Sequence, residues 1–207
     1  MPLGLSQWRE NILPEAVHNA ENDSAQELTE DFHADNPDEV LSEDFSDAEA
    51  NEKSKGHSEL SVSKIREWLS EINPNFDPFD MESPYNYNCG SCAYAVYQRL
   101  EGDEAVTAMP VIIPDERFME ALTGLKFVSM TPEGIEAHIL AKGNGAHTII
   151  GIDRAFGFPG HWFNAACIDG KVVAIEGQDG TISGWPPDYG DVVNWEMGLR
   201  EDDFHGH

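Results

Sequence analysis

Apolar residues fall into two regimes along this chain. From residue 61 to about 142 they recur three and four apart, the spacing of one helical face. Ile65, Trp68, Leu69 and Ile72 predict a helix, with Ser61 or Ser63 as its N-cap and Asn73-Pro74 as its end. Residues 73–88 are rich in Pro, Asn and Asp and read as an ordered loop with aromatic anchors at Phe76, Phe79, Tyr85 and Tyr87. A second helix is predicted from Cys89 to Glu101, stopped by Gly102. Two more are predicted over 118–125 and 132–140, the latter with Thr131 as cap and Pro132 in its first turn. Val111-Ile112-Ile113 reads as a short strand.

The second regime begins at His147. Residues 147–152, 162–167 and 172–175 are short β-branched and aromatic runs that read as strands. Asp169-Gly170 is a two-residue hairpin signal between the last two. Pairing of 161 with 177 and of 163 with 175 is expected around it. Helices first and an antiparallel sheet afterwards predict an α+β domain over residues 61–207.

Residues 1–60 follow neither regime. They hold 16 acidic and three basic residues, a balance of −13, and from Glu27 to Glu59 no period is sustained. Low hydropathy with high charge does not offset chain entropy, so this stretch is expected to be a disordered tail or linker. Leu3, Leu5, Trp8, Ile12, Leu13 and Val17 could form a short interaction segment at its start.

The whole chain of 207 residues carries 12 Lys+Arg against 39 Asp+Glu, a net −27. No basic footprint exists for nucleic acid, and an anionic membrane would repel the chain. No stretch approaches the ~18 apolar residues of a membrane-spanning helix. No classical signal peptide is visible.

Three cysteines, Cys89, Cys92 and Cys167, make a poor disulfide framework. Cys89 falls at a helix start, where exposed amides and the positive dipole end favour a thiolate. A thiolate nucleophile needs a histidine to protonate its leaving group and a third group to orient that histidine. Gly160-His161-Trp162-Phe163-Asn164 supplies the first and Glu176-Gly177-Gln178-Asp179-Gly180 the second, near one end of the expected hairpin. On a helical wheel Cys89 shares a stripe with Ala93, Val96 and Leu100, with Cys92 at its edge. Cys89 is therefore the favoured nucleophile and Cys92 the alternative.

Other readings compete. Cys89-x-x-Cys92 is also the spacing of a redox dithiol or half a zinc site, to which His147, His161 or Cys167 could be recruited. The redox motif normally follows a strand in a βαβ unit, and no second ligand pair stands at zinc spacing. No metal or cofactor is expected. Cys167 reads as a small buried hydrophobe. His147 could be a competing base, and Glu176, Gln178 and Asp179 could be turn residues.

Asn88-Cys89-x-x-Cys92-Ala93-x-Ala95-Val96 with Arg99-Leu100-x-Gly102, then Gly160-His161-Trp162-Phe163-Asn164, then Glu176-Gly177-Gln178-x-Gly180, resembles the papain-fold toxin domains of bacterial polymorphic toxins. Those domains are glutamine deamidase-like, with a Cys-His-Asp triad. The resemblance spans roughly residues 72–195. It implies a papain-like fold, with N-terminal helices carrying the nucleophile packed on an antiparallel sheet. The implied site is Cys89, His161 and Glu176, with Glu176 standing where aspartate is expected and Gln178 as a further orienting or substrate-contacting residue. Cys89-Gly90-Ser91-Cys92 also resembles papain proteases, whose nucleophile is the second cysteine of a similar string; that is the argument for Cys92.

The implied activity is cysteine-dependent hydrolysis of a glutamine side chain on a target protein. The implied partners are that target and a cognate immunity protein. The implied setting is bacterial, with export by a specialised system or as part of a larger toxin. A papain-like protease or acyltransferase would use the same site on another substrate. A non-catalytic papain-like binding module is the reading from a different class.

Overall fold

The computed structural model describes residues 60–205. The tail read over 1–60 lies outside the described residues except for Leu60. Among the described residues, four α-helices and six strands follow in the order α1 (Val62–Leu69), α2 (Cys89–Leu100), α3 (Glu116–Thr123), β1 (Lys126–Ser129), α4 (Pro132–Lys142), β2 (His147–Arg154), β3 (His161–Ile168), β4 (Lys171–Glu176), β5 (Thr181–Gly184) and β6 (Val192–Leu199). The strands form one sheet in the order β1-β6-β2-β3-β4-β5, antiparallel at every pairing. The expected α+β class stands.

Side-chain alternation along β3 divides the core. Phe163, Ala165 and Cys167 pack with Ile135 and Ile139 of α4 on one face. Ala166 and Ile168 pack with Ile65 and Leu69 of α1 and Cys92 and Val96 of α2 on the other. A third cluster joins Ala93 and Tyr97 of α2 to Met119, Leu125, Ile149 and Trp162. Helices on both sides leave β3 buried along its length, so it holds the fold's centre.

The elements start where capping chemistry allows. Ser61 Oγ accepts from the Lys64 amide, Asp115 from the Phe118 amide and Thr131 from the Gly134 amide. The helix expected over 118–125 thus begins earlier, at Glu116, and Gly124 at φ +73° ends it. The helix expected over 132–140 runs on to Lys142. α1 closes at Leu69, short of Asn73-Pro74, because the chain leaves the helix through consecutive turns. Ile72 is nonetheless fully buried, and its carbonyl accepts from the Ala108 amide.

Val111–Ile113 is not a strand. The segment finds no ladder partner; Ile113 turns inward while Ile112 faces solvent. The 73–88 loop is ordered; Phe79 is exposed rather than anchoring, and Tyr87 holds the loop through its hydroxyl, which donates to the Met81 carbonyl at 2.8 Å. Other polar groups hold it as well: Asn86 Nδ2 donates to the carbonyls of Asp77 at 2.6 Å and Asp80 at 2.7 Å.

The β3–β4 hairpin departs from expectation by one residue. Asp169 (φ +51°) and Gly170 (φ +71°) form the two-residue turn, so Ile168 pairs with Lys171 and Asn164, not Phe163, with Ile175. Both turn residues need positive φ, which glycine and aspartate tolerate. A one-residue shift exchanges faces along the whole strand. In the observed register His161 shares a face with Glu176; in the expected one it would not.

Gly177, one residue past β4, lets the chain pass close against α2. A Cβ there would lie 2.7 Å from Val96 Cγ2 and 3.0 Å from the Cys92 carbonyl oxygen. The second contact is backbone and cannot swing aside. Gly177→Ala should cost about 1–3 kcal/mol, as overpacking does, read as a lower urea midpoint. It should also reduce activity, because the displaced helix carries Cys89.

Candidate active site

Cys89 is the first residue of α2 and is half-buried. Asn88 is the N-cap residue but makes no capping bond. Its buried amide is engaged elsewhere: Nδ2 donates to Asn73 Oδ1 and to the Met109 carbonyl, both at 3.1 Å. Its Oδ1 accepts from Asn73 Nδ2 at 3.3 Å and from the Cys92 thiol at 3.4 Å. The first amides of α2 therefore carry no side-chain cap, and the positive end of the helix dipole lies at Cys89.

His161 opens β3. Its neighbours in the motif have opposite duties because β3 alternates. Phe163 lies under the imidazole, the rings stacked at 6.3 Å. Trp162 and Asn164 face α2, where Asn164 Nδ2 donates to the Ala93 carbonyl at 3.1 Å. The motif thus fixes His161 to the helix that carries Cys89.

The His161 ring is engaged from two sides. Nε2 donates to Glu176 Oε2 at 2.5 Å. The Cys89 side chain is its other electrostatic partner. Burial by itself lowers the imidazolium pKa. The hydrogen bonds to Cys89 and Glu176 and their charges outweigh it and raise the pKa from an ordinary 6.5 to about 10. The favoured state is an imidazolium between two acidic partners.

Glu176 is itself held. Oε1 accepts from the Gln178 amide at 3.1 Å, and Oε2 accepts from the Tyr189 hydroxyl at 2.8 Å as well as from His161. Gln178 contributes its backbone here rather than its side chain, and its carbonyl accepts from Asn73 Nδ2 at 3.0 Å. Asn73 therefore links the residues beside Cys89 to those beside Glu176. A cavity of about 350 Å³ opens next to the pair, lined by Phe76, His161, Gln178, Asp179, Asp188 and Tyr189.

The structure brings Cys89, His161 and Glu176 together and sets the other candidates apart. Cys92 is fully buried, and its thiol donates to Asn88. Burial, then the nearby Glu176 and Cys89 charges, push that thiol well above its ordinary pKa. The buried stripe of α2 includes Cys92 with Ala93 and Val96, while Cys89 stands at the open end. His147 lies at the opposite end of β3's partner strand, paired across from Ala166, and bonds the Gly145 carbonyl and Glu101. Cys167 is buried in the α4-side core. Among the described residues no group of three or more His, Cys, Asp or Glu is placed to hold a metal ion.

Three contributors had no role in the sequence reading: Tyr189, Asn73 and the side chain of Asn88. Tyr189 sits in Trp185-Pro186-Pro187-Asp188-Tyr189-Gly190, where no period signals which way a side chain points. Asn88 and Asn73 each flank a motif, but only the fold places them in contact.

No curated protein and no solved structure matches the chain. The model of one family does match, over residues 87–181, a span that holds Cys89, His161, Glu176 and Gln178 and stops short of Tyr189. Residues 87–181 thus carry the match to the family described as Papain fold toxin 1, glutamine deamidase, and the α+β domain built around them is of the papain fold.

Proposed function

We propose that this domain is the catalytic part of a bacterial toxin or effector that deamidates a glutamine side chain of a target protein. Cys89 is the nucleophile, His161 the acid and base, and Glu176 the group that orients His161. The observation that carries this reading is the His161 imidazole held between Cys89 and Glu176, with its pKa raised to about 10. An imidazolium so stabilised places a positive charge beside the Cys89 sulfur, where an attacking nucleophile needs it.

The steps follow from that pair. Cys89 Sγ bonds to the carboxamide carbon, and the carbonyl electrons move to oxygen. The open amides at the start of α2 are suited to receive that oxyanion. His161 gives its proton to the amide nitrogen, the C–N bond breaks, and ammonia leaves. Water then attacks the thioester and passes a proton to His161. The C–S bond breaks, and glutamate departs with the thiolate restored. The target gains one negative charge.

The partners follow from the same reading. Residues 61–207 carry a net −14, which favours a target with a basic face. A cognate immunity protein in the producing cell would meet the same acidic surface. Delivery would use a specialised export system or a larger parent toxin.

Intact-mass measurement of candidate targets, with ammonia release followed in parallel, tests the activity. Conversion of amide to acid without cleavage is expected. Backbone fragments without deamidation would overturn the reading in favour of a protease.

The pH dependence has a definite sign. The alkaline limb of kcat/KM should fall near pH 10, where the folded imidazolium loses its proton. The stability gained from the same raised pKa is fully present below 6.5, declines as pH rises, and is gone above about 10. Urea midpoints across that window should fall more steeply for the wild type than for His161→Ala.

A further inference from the structure

We infer that Tyr189 is a positioning residue for the acid–base pair, acting through a clamp on Glu176 that holds its carboxylate against His161. The inference rests on the catalytic reading above and deepens it. Glutamate has one more rotatable bond than aspartate, so its carboxylate sweeps a larger volume unless it is held. Here both oxygens are fixed. Gln178 holds Oε1 through its amide, and Tyr189 holds Oε2, the oxygen that also receives the His161 proton donor.

The hydroxyl is a constant donor. Burial and then the Glu176 charge push the Tyr189 pKa well above its ordinary value, so the group stays protonated throughout the working range. Its ring is fixed too. It lies 5.0 Å from the His161 ring and 5.1 Å from that of Phe163. The segment leading to it is pinned where Trp185 Nε1 donates to the Pro132 carbonyl at 3.0 Å and packs on Trp195 at 5.7 Å. Just beyond Tyr189, the Asp191 carbonyl accepts from the Ala155 amide at 2.8 Å. The segment thus runs from α4 to the β2–β3 turn and carries one hydroxyl to the catalytic carboxylate.

The test reads the thiol directly and needs no target protein. Iodoacetamide alkylation of Cys89 is followed against pH by peptide mass in the wild type and in Tyr189→Phe, which keeps the ring and removes the donor. Thermal unfolding and near-ultraviolet circular dichroism check that the variant is folded. In Tyr189→Phe the alkaline limb should move toward acid by about one pH unit, as expected when the bond from Glu176 to His161 loosens. Alkylation at pH 10, where a one-unit shift matters most, should slow about fivefold. A limb that stays in place, or moves toward higher pH, overturns the inference.

A double-mutant cycle confines the effect to the carboxylate. In a Glu176→Ala background, adding Tyr189→Phe should change the alkylation rate by less than about twofold. A further fivefold loss there would overturn the inference, because Tyr189 would then act by another route. Failure of the catalytic reading looks different: wild-type Cys89 would alkylate no faster than Cys89 in His161→Ala, whatever Tyr189→Phe did.

Discussion

Cys89→Ala should abolish deamidation, with a loss on the order of 10⁴-fold or more, as removal of a nucleophile from a cooperating triad costs. Cys92→Ala should leave the chemistry in place. The two thiols are one helical turn apart and have opposite surroundings. Cys89 stands at the uncapped end of α2 beside an imidazolium. Cys92 is buried, pushed toward the neutral thiol, and donates to Asn88. Losing that bond and a small buried volume should cost Cys92→Ala about 1–2 kcal/mol of stability. Ammonia release from a glutamine peptide and urea unfolding separate the two effects. Full activity in Cys89→Ala would overturn the assignment.

Phe163→Ala should be the most damaging core substitution, costing about 3–5 kcal/mol. That is a large share of the 5–15 kcal/mol that typically holds a domain together. Phe163 is fully buried at the centre of an aromatic group: Tyr189 lies at 5.1 Å, Trp195 at 6.2 Å and Trp185 at 6.3 Å. Removing the ring leaves a void that these three packed rings cannot close. It also removes the floor under the His161 imidazole. Activity should therefore fall further than the folded fraction. Phe163→Leu, closer in volume, should cost less than about 1.5 kcal/mol. Urea midpoints with activity measured at fixed folded fraction check both statements.

The parts of this site visible in the sequence were those with local signals. A cysteine after Asn88 at a helix start and a histidine after a Gly160 turn carry their roles in their immediate neighbours. So does a glutamate at the end of a hairpin strand. The hairpin was legible from Asp169-Gly170, yet its register was not set correctly until the turn residues were counted out of the ladder. That single residue decides whether His161 meets Glu176.

The rest depended on distant chain. β1 and β5 are four residues each, too short for a period to declare itself. β6 is an exception: Asn194 to Leu199 alternate polar and apolar residues, a strand signal legible in the sequence itself. Asn73, Asn88 and Tyr189 act only through contacts made across the fold. Aromatic character alone does not say whether a loop turns inward, and Phe79 faces solvent.

The register of the β3–β4 hairpin also bears on the order in which the site comes into being. His161 and Glu176 are 15 residues apart across one tight turn. Such hairpins close in ~1–10 μs, well before long-range contacts form. Cys89 is separated from them by α3, β1, α4 and β2, and reaches the imidazole only when α2 docks on β3. The proton-handling half of the machinery is thus local, and the nucleophile is delivered to it by tertiary assembly. On the proposed catalytic reading, a chain whose hairpin is formed but whose α2 is undocked has the acid–base pair without its nucleophile.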